Sequence, residues 1–236
     1  AGIFWTLCSG GNLIVTENRV EQDITKIEDI VQSHKVSHTL MLPSLYTVIL
    51  EHGNASRLMS LNTVIVAGEA CSNNLRELHF KNLPMACLYN EYGPTEATVW
   101  CIAHQVEMSD TSEVVPIGKA VANAEIYLLN SSKGAVPFGA VGEIYIGGPG
   151  VSKGYIGKEK LTKKVFLDNP FWIVSNDKIY KTGDLGRYRN DGTIEFLGRA
   201  DHQVKVRGFR IELDEVEKVI AEQNPVIAAV ALVENS

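Results

Sequence analysis

Thr63-Val64-Ile65-Val66-Ala67 is a short run dominated by β-branched residues, and it stops at Gly68-Glu69-Ala70. Further along, Met85-Ala86-Cys87-Leu88-Tyr89 repeats the pattern and stops at Asn90-Glu91-Tyr92-Gly93-Pro94-Thr95-Glu96. Between the two runs, Ser72 is suited to cap a helix carrying Leu75 and Leu78 on one side. Strand, helix and strand in this alternation predict an α/β layer built on a parallel sheet. Toward the amino end, Ile24, Ile27, Ile30 and Val31 fall at helical spacing. A short strand-like run ends at Leu42, and Pro43 suits the first turn of a helix through about Glu51. Ala1–Val15 is apolar and broken by Ser9-Gly10-Gly11; it reads as a helix and a strand and lacks the positive start of a signal peptide.

From about Val114 the rhythm changes. Strands at Glu125–Leu129 and Glu143–Ile146 alternate with glycine turns, and one helix is predicted near Lys158–Phe166. Asn190-Asp191-Gly192 between Arg187-Tyr188-Arg189 and Thr193–Leu197 is a hairpin signal, so this part is predicted to be mainly antiparallel β. In Gln203–Leu213 the apolar positions change parity at Gly208, which requires a turn or bulge there. Asp214 and Glu217 are spaced as a capping box for a helix bearing Val216, Val219 and Ile220, and Val226–Val233 reads as a strand.

The chain has 236 residues, is 45% hydrophobic and carries a formal charge of −6. Such figures exclude a disordered or collagen-like chain, and the mild acidity argues against a nucleic-acid or anionic-membrane partner. No run approaches the length of apolar sequence needed to cross a bilayer. Cys8, Cys71, Cys87 and Cys101 form no C-x-x-C pair, which fits reduced thiols in the core of a cytoplasmic protein. His34 and His38 have a metal-ligand spacing, but a strand starts between them.

In an open parallel sheet, ligands bind beyond the carboxyl ends of the strands, where the Gly68-Glu69-Ala70 and Asn90–Glu96 loops converge. Tyr92 offers a flat face for a base, Thr95 a hydroxyl for a phosphate oxygen, and Glu96 a hard carboxylate of the type Mg2+ prefers. Alone, such a segment is also an ordinary tight turn. Two further blocks change that balance: Tyr180-Lys181-Thr182-Gly183-Asp184-Leu185, and the stretch from Gly198-Arg199-Ala200-Asp201-His202-Gln203 through Lys205, Arg207, Gly208 and Arg210 to Leu213. With Asn90–Glu96 and Gly142–Gly148 ahead of Gly154-Tyr155, their order and spacing resemble the adenylation domains of nonribosomal peptide synthetases, members of the adenylate-forming superfamily. The resemblance covers essentially the whole chain.

The resemblance implies a fold: a parallel-sheet α/β layer (1–113), an antiparallel β subdomain (114–199), then a hinge and the start of a small α+β carboxy-terminal domain (200–236). It also implies residue roles. Tyr92 would stack on adenine, with Asn90 and the Gly68-Glu69-Ala70 backbone beside the base. Thr95 would hold the α-phosphate, Glu96 the Mg2+, and Asp184 the two ribose hydroxyls. Phe196 stands where the family often has a tyrosine, and Arg199 would reach the ribose and phosphates. Asp201 resembles the hinge residue, and Lys205 and Gly208 lie in the hairpin expected to enter the site for acyl transfer. Ala1, Met41, Ile65, Ala67, Glu91, Val99 and Trp100 would line the amino-acid pocket. Most are apolar, which favours a hydrophobic or aromatic substrate, whereas Glu91 either points out of the pocket or meets a basic one.

The implied reaction joins ATP and an amino acid as an aminoacyl-adenylate, releasing pyrophosphate, with later transfer to phosphopantetheine on a peptidyl carrier domain. A condensation domain of the same synthetase would be a further partner. The family's phosphate loop is expected before Ala1 and its catalytic lysine after Ser236, so this segment alone is expected to be inactive. An acyl- or aryl-CoA ligase shares much of this logic, and a non-catalytic nucleotide-binding or interaction module is the other reading; Val206–Leu213 favours the synthetases.

Overall fold

The computed structural model describes residues 2–110, 114–171, 178–201, 203–206, 209–223 and 229–232. The chain runs α1 (Gly2–Cys8), α2 (Ile24–His34), β1 (His38–Met41), α3 (Pro43–His52), β2 (Thr63–Ala67), α4 (Asn73–Asn82) and β3 (Cys87–Tyr92). It continues through β4 (Ile102–Val106), β5 (Lys119–Ala120), β6 (Glu125–Leu129), β7 (Val141–Gly147), α5 (Glu159–Val165), β8 (Phe166–Asp168), β9 (Lys178–Tyr188) and β10 (Ile194–Arg199). It closes with β11 (Gln203–Val206), β12 (Phe209–Glu212) and α6 (Leu213–Ala221).

Local chemistry explains the helix starts. Asp23 accepts from the Lys26 amide at 3.2 Å ahead of α2, and the Ser72 hydroxyl accepts from the Leu75 amide at 3.1 Å ahead of α4. Pro43 opens α3 as expected. In the first sheet, β1, β2 and β3 run parallel, whereas β4 and β5 are antiparallel additions, so the sheet is mixed rather than parallel throughout. The link from β3 to β4 is too short for a parallel crossover, which forces the chain straight back. β3 also runs on through Asn90, Glu91 and Tyr92, residues that the sequence pattern assigns to the following turn.

Alternation along β2 and β3 divides the sheet into two faces. Val64, Val66 and Leu88 face the helices and pack with Val31, Tyr46, Ile49 and Leu75 in one core. A second core lies around the antiparallel sheet β10-β9-β7-β6, where Ile144, Ile146, Phe166, Tyr180 and Ile194 meet Tyr92 and Ile102 of the first sheet. Backbone bonds stitch the seam: the Ile117 amide donates to the Ile194 carbonyl at 2.8 Å, and the Ile194 amide to the Gly118 carbonyl at 2.7 Å.

Several expectations are corrected. No strand follows α1, where residues 12–17 pair with no neighbour. The Asp214–Glu217 capping box does not form, because α6 starts at Leu213, two residues earlier than that cap requires, with Glu212 at its cap. Instead the Glu217 carboxylate accepts from the Ala231 amide at 2.9 Å. Of the expected Val226–Val233 strand, residues 229–232 are irregular and the rest lie outside the described residues. Cys71 and Cys101 are buried, but Cys8 is exposed and Cys87 half-buried. Among the described residues, no cluster of metal-ligating side chains forms around His34, His38 or elsewhere, and no helix is long and apolar enough to cross a membrane.

Candidate functional site

The two sheets bring Tyr92 and Asp184 together from positions far apart in the chain. Tyr92 ends β3 with its ring 6% exposed, and its hydroxyl donates to Asp184 Oδ2 on β9. Burial, with the Asp184 charge beside it, pushes the Tyr92 phenol well above its ordinary value, so it stays protonated and donating. Arg199, at the end of β10, donates from Nη1 to Asp184 Oδ1 at 2.7 Å. Its Nε and Nη2 each reach the Asp201 carboxylate at 2.6 Å, so one guanidinium joins both acids. A register shift between Phe196 and Arg199 aims this guanidinium inward, and the Phe196 ring lies 6.1 Å from that of Tyr92.

Thr182 fixes the turn that presents Asp184. Its hydroxyl accepts from the Asp184 amide at 2.9 Å and donates to the Ile144 carbonyl at 2.7 Å. Between them, Gly183 has φ +77°, and a Cβ there would lie 2.6 Å from Arg199 Nη2 and 2.7 Å from Asp201 Oδ2. Only glycine allows that close approach.

The turn after β3 carries Thr95, exposed, and Glu96, buried. Glu96 Oε1 accepts from the Tyr155 hydroxyl at 2.5 Å, and the Ser152 amide donates to the Glu96 carbonyl at 2.8 Å. Val99 holds φ +77°, a strained geometry for a β-branched residue, and a Cβ on Gly93 would meet Trp100 Cα at 2.9 Å. The turn is therefore over-determined by its surroundings. As a hard oxygen donor, Glu96 suits Mg2+, which takes one or two carboxylates and completes its shell with phosphates and water.

Other expected nucleotide contacts are held elsewhere. Asn90 is 2% exposed and donates to the Pro116 carbonyl at 2.9 Å. The Glu69 carboxylate accepts from the Ser44 amide at 3.1 Å, at the start of α3, while Gly68 and exposed Ala70 leave their loop open. Lys205 lies in β11 opposite Arg210, and the side chains of both are outside the described residues, as are Ala1, His202, Arg207 and Gly208.

On the opposite face of the first sheet, Ile65, Glu91 and Trp100 line a groove of about 450 Å³ with Trp5, His38, Leu40, Thr63 and Tyr89. Ala67 pairs with Glu91 across the sheet. Met41 packs on the helix-side core instead, and Val99 sits half-buried in the strained turn. Tyr155 and Thr182 fall within the sequence motifs without an expected role, and Trp5 and Tyr89 are not among the expected site residues at all. For Trp5 and Tyr89 the period-2 alternation and an exposed tryptophan were the available signals.

Comparison with known proteins identifies the family. Residues 1–156 match the family model described as AMP-binding enzyme. The chain belongs to the AMP-binding enzyme family. It is 38% identical over 234 residues to malpinin synthetase of Mortierella alpina, covering 99% of this chain and 3% of that protein. It is 38% identical over 230 residues to bacitracin synthase 3 of Bacillus licheniformis, covering 98% of this chain and 4% of that protein. The crystal structure of IdnL1 superimposes with a TM-score of 0.87 at 28% identity, over 96% of this chain and 48% of that one. Holo-PA1221, a nonribosomal peptide synthetase protein with adenylation and PCP domains bound to a vinylsulfonamide inhibitor, gives 0.81 at 27% identity, over 87% and 36%. The chain thus spans a small part of the synthetases it matches and less than half of these structures.

Proposed function

We propose that this chain supplies the nucleoside side, and one wall of the amino-acid pocket, of a domain that activates an amino acid with ATP. In that reaction a carboxylate oxygen of the amino acid attacks the α-phosphorus of ATP. The bond to pyrophosphate breaks, leaving an aminoacyl-adenylate. A phosphopantetheine thiol on a carrier domain then attacks the carbonyl carbon, and AMP departs with the bonding electrons.

The single observation behind this reading is the Tyr92–Asp184–Arg199 group at the seam of the two sheets. Asp184 is a fixed acceptor for adjacent ribose hydroxyls, since its backbone and both oxygens are already oriented by Thr182, Tyr92 and Arg199. Arg199 places positive charge beside it for an anionic ligand. Thr95 and Glu96 follow Tyr92 in sequence, at the side where phosphates would extend. Mg2+, when bound at Glu96, would offset phosphate charge, and the Tyr155 hydroxyl orients the carboxylate toward that task. For adenine to stack on Tyr92, the ring must uncover a face, so nucleotide entry involves a small shift between Tyr92 and Phe196. Asp201 would serve as the hinge, tied through Arg199 to the nucleoside site.

The test is amino-acid-dependent exchange of labelled pyrophosphate into ATP by the full-length protein that carries this chain, with titration of ATP and Mg2+ alongside. Exchange that vanishes in Asp184→Asn supports the reading. Titration that detects no ATP binding, with no exchange for any amino acid, overturns it.

A further inference from the structure

The groove on the open face of the first sheet contains one carboxylate and several aromatic rings, and this pairing has a chemical meaning. Strand register sets Leu40, Ile65 and Tyr89 in one row and Ala67, Glu91 and Ala103 in the next. Glu91 is thus flanked by two methyl groups, which neither crowd its carboxylate nor bond to it. Nearby polar groups are committed elsewhere. The Tyr89 hydroxyl donates to Gln105 at 3.2 Å, and His38 Nδ1 lies 2.8 Å from the Ser37 hydroxyl. Among the described residues, no hydrogen bond or ion pair engages the Glu91 side chain.

Trp5, Tyr89 and Trp100 supply aromatic surface around this carboxylate, with Trp5 edge-on to His38 at 5.7 Å. We propose that Glu91 selects an amino acid whose side chain ends in a nitrogen cation, seated in this groove among Trp5, Tyr89 and Trp100. This deepens the adenylation reading and rests on it. Burial already raises the Glu91 carboxyl above its ordinary value, in keeping with a carboxylate short of partners. A bound ammonium or guanidinium restores the charge balance and gains attraction from the ring faces. An apolar side chain would bury the same carboxylate more deeply without a partner, which is costly, so the groove also discriminates against it. At about 450 Å³ the space holds a long side chain comfortably.

The experiment uses the full-length protein that carries this chain. Pyrophosphate exchange is measured with lysine, ornithine and arginine against norleucine, leucine and tyrosine, norleucine being a lysine mimic without the ammonium group. The expected result is that a cationic amino acid gives the highest kcat/KM, with lysine preferred to norleucine by about 100-fold. Glu91→Gln should bring that ratio within about 10-fold by lowering lysine turnover and raising that of norleucine. Glu91→Asp, which keeps the charge, should retain the lysine preference, so the proposal stands on that variant if the glutamine form fails to fold. In the unmodified protein the ratio of lysine to norleucine should rise with pH as Glu91 ionises, with lysine gaining and norleucine losing turnover. Best exchange with leucine, norleucine or tyrosine, or an unchanged ratio in a folded Glu91→Gln protein, overturns the proposal and leaves adenylation standing. No exchange with any amino acid, and no ATP binding, removes both.

Discussion

Replacing Asp184 by asparagine separates a structural role from a ligand-binding one. Asp184 is 4% exposed and accepts from Arg199 and Tyr92, one donor on each oxygen. Asparagine can keep both contacts: its oxygen faces Arg199, and its amide donates to the Tyr92 hydroxyl, which turns round to accept. Arg199 also keeps Asp201. What is lost is mainly the charge on two hydrogen bonds, a cost of about 1–2 kcal/mol. In a chain of this size that lowers Tm by roughly 2–8 °C. Binding should suffer more. An amide whose oxygen is taken by Arg199 presents a donor, not an acceptor, to the sugar hydroxyls, and we expect about 100-fold weaker ATP binding. At an ATP concentration of about 100 times the parent Kd, nucleotide stabilises the parent by about 2.7 kcal/mol. The variant would then gain only about 0.4 kcal/mol. Thermal melts of the full-length protein with and without ATP and Mg2+ read both effects at once. If the variant melts lower yet keeps the parent's ATP-dependent shift, Asp184 is a packing residue and the site lies elsewhere.

Gly183→Ala should cost about 1–3 kcal/mol in urea unfolding, because φ +77° and the approach of Arg199 and Asp201 both oppose a side chain; a change below about 0.3 kcal/mol would contradict the geometry. His79 is wholly buried, with Nδ1 2.7 Å from the Tyr46 hydroxyl and Nε2 2.9 Å from the Ala86 carbonyl, so Nε2 carries the proton and Nδ1 accepts. Burial lowers its affinity for a second proton, and the same holds for His104, whose shift Asp110 opposes. Protonation therefore favours the unfolded chain. The stability contribution is intact above the ordinary histidine value near 6.5 and is lost as pH falls from there through the lowered folded-state value. Denaturation midpoints at pH 7.5 and 5.5 should show the drop, and His79→Gln should shrink it. Burial pushes the Cys71 and Cys101 thiols up to about 12, whereas Cys8 is exposed. A thiol reagent should label Cys8 first under native conditions, and mass spectrometry showing Cys71 or Cys101 labelled at the same rate would count against the packing.

Much of the architecture was legible because it depends on local rules. The β2 run, the Ser72 cap, Pro43 at the head of α3 and the hairpin at Asn190-Asp191-Gly192 all stand where their residue types direct, whereas β3 lies further along the chain than its pattern directs. The reversal at β4 was not, because strand direction depends on the length of a connection whose strand end was misplaced. The Asp214 cap failed for a related reason: the helix takes up Leu213 and leaves Asp214 inside its first turn. In the candidate site, motif residues identified Tyr92, Asp184 and Arg199, but not their mutual bonding, which joins strands about 90 residues apart in sequence. The orientation of Glu91 into the groove was left open by composition and follows from β-strand parity, once β3 is extended to Tyr92.

The seam formed by the Ile117, Gly118 and Ile194 backbones has a mechanical consequence. Tyr92 belongs to one sheet and Asp184 to the other, so a nucleoside held by both would act as a clasp across a joint that the backbone already closes. Amide hydrogens on β3 and β9 should then slow their exchange with solvent in unison when ATP is added, as a single cooperative block rather than two neighbouring ones.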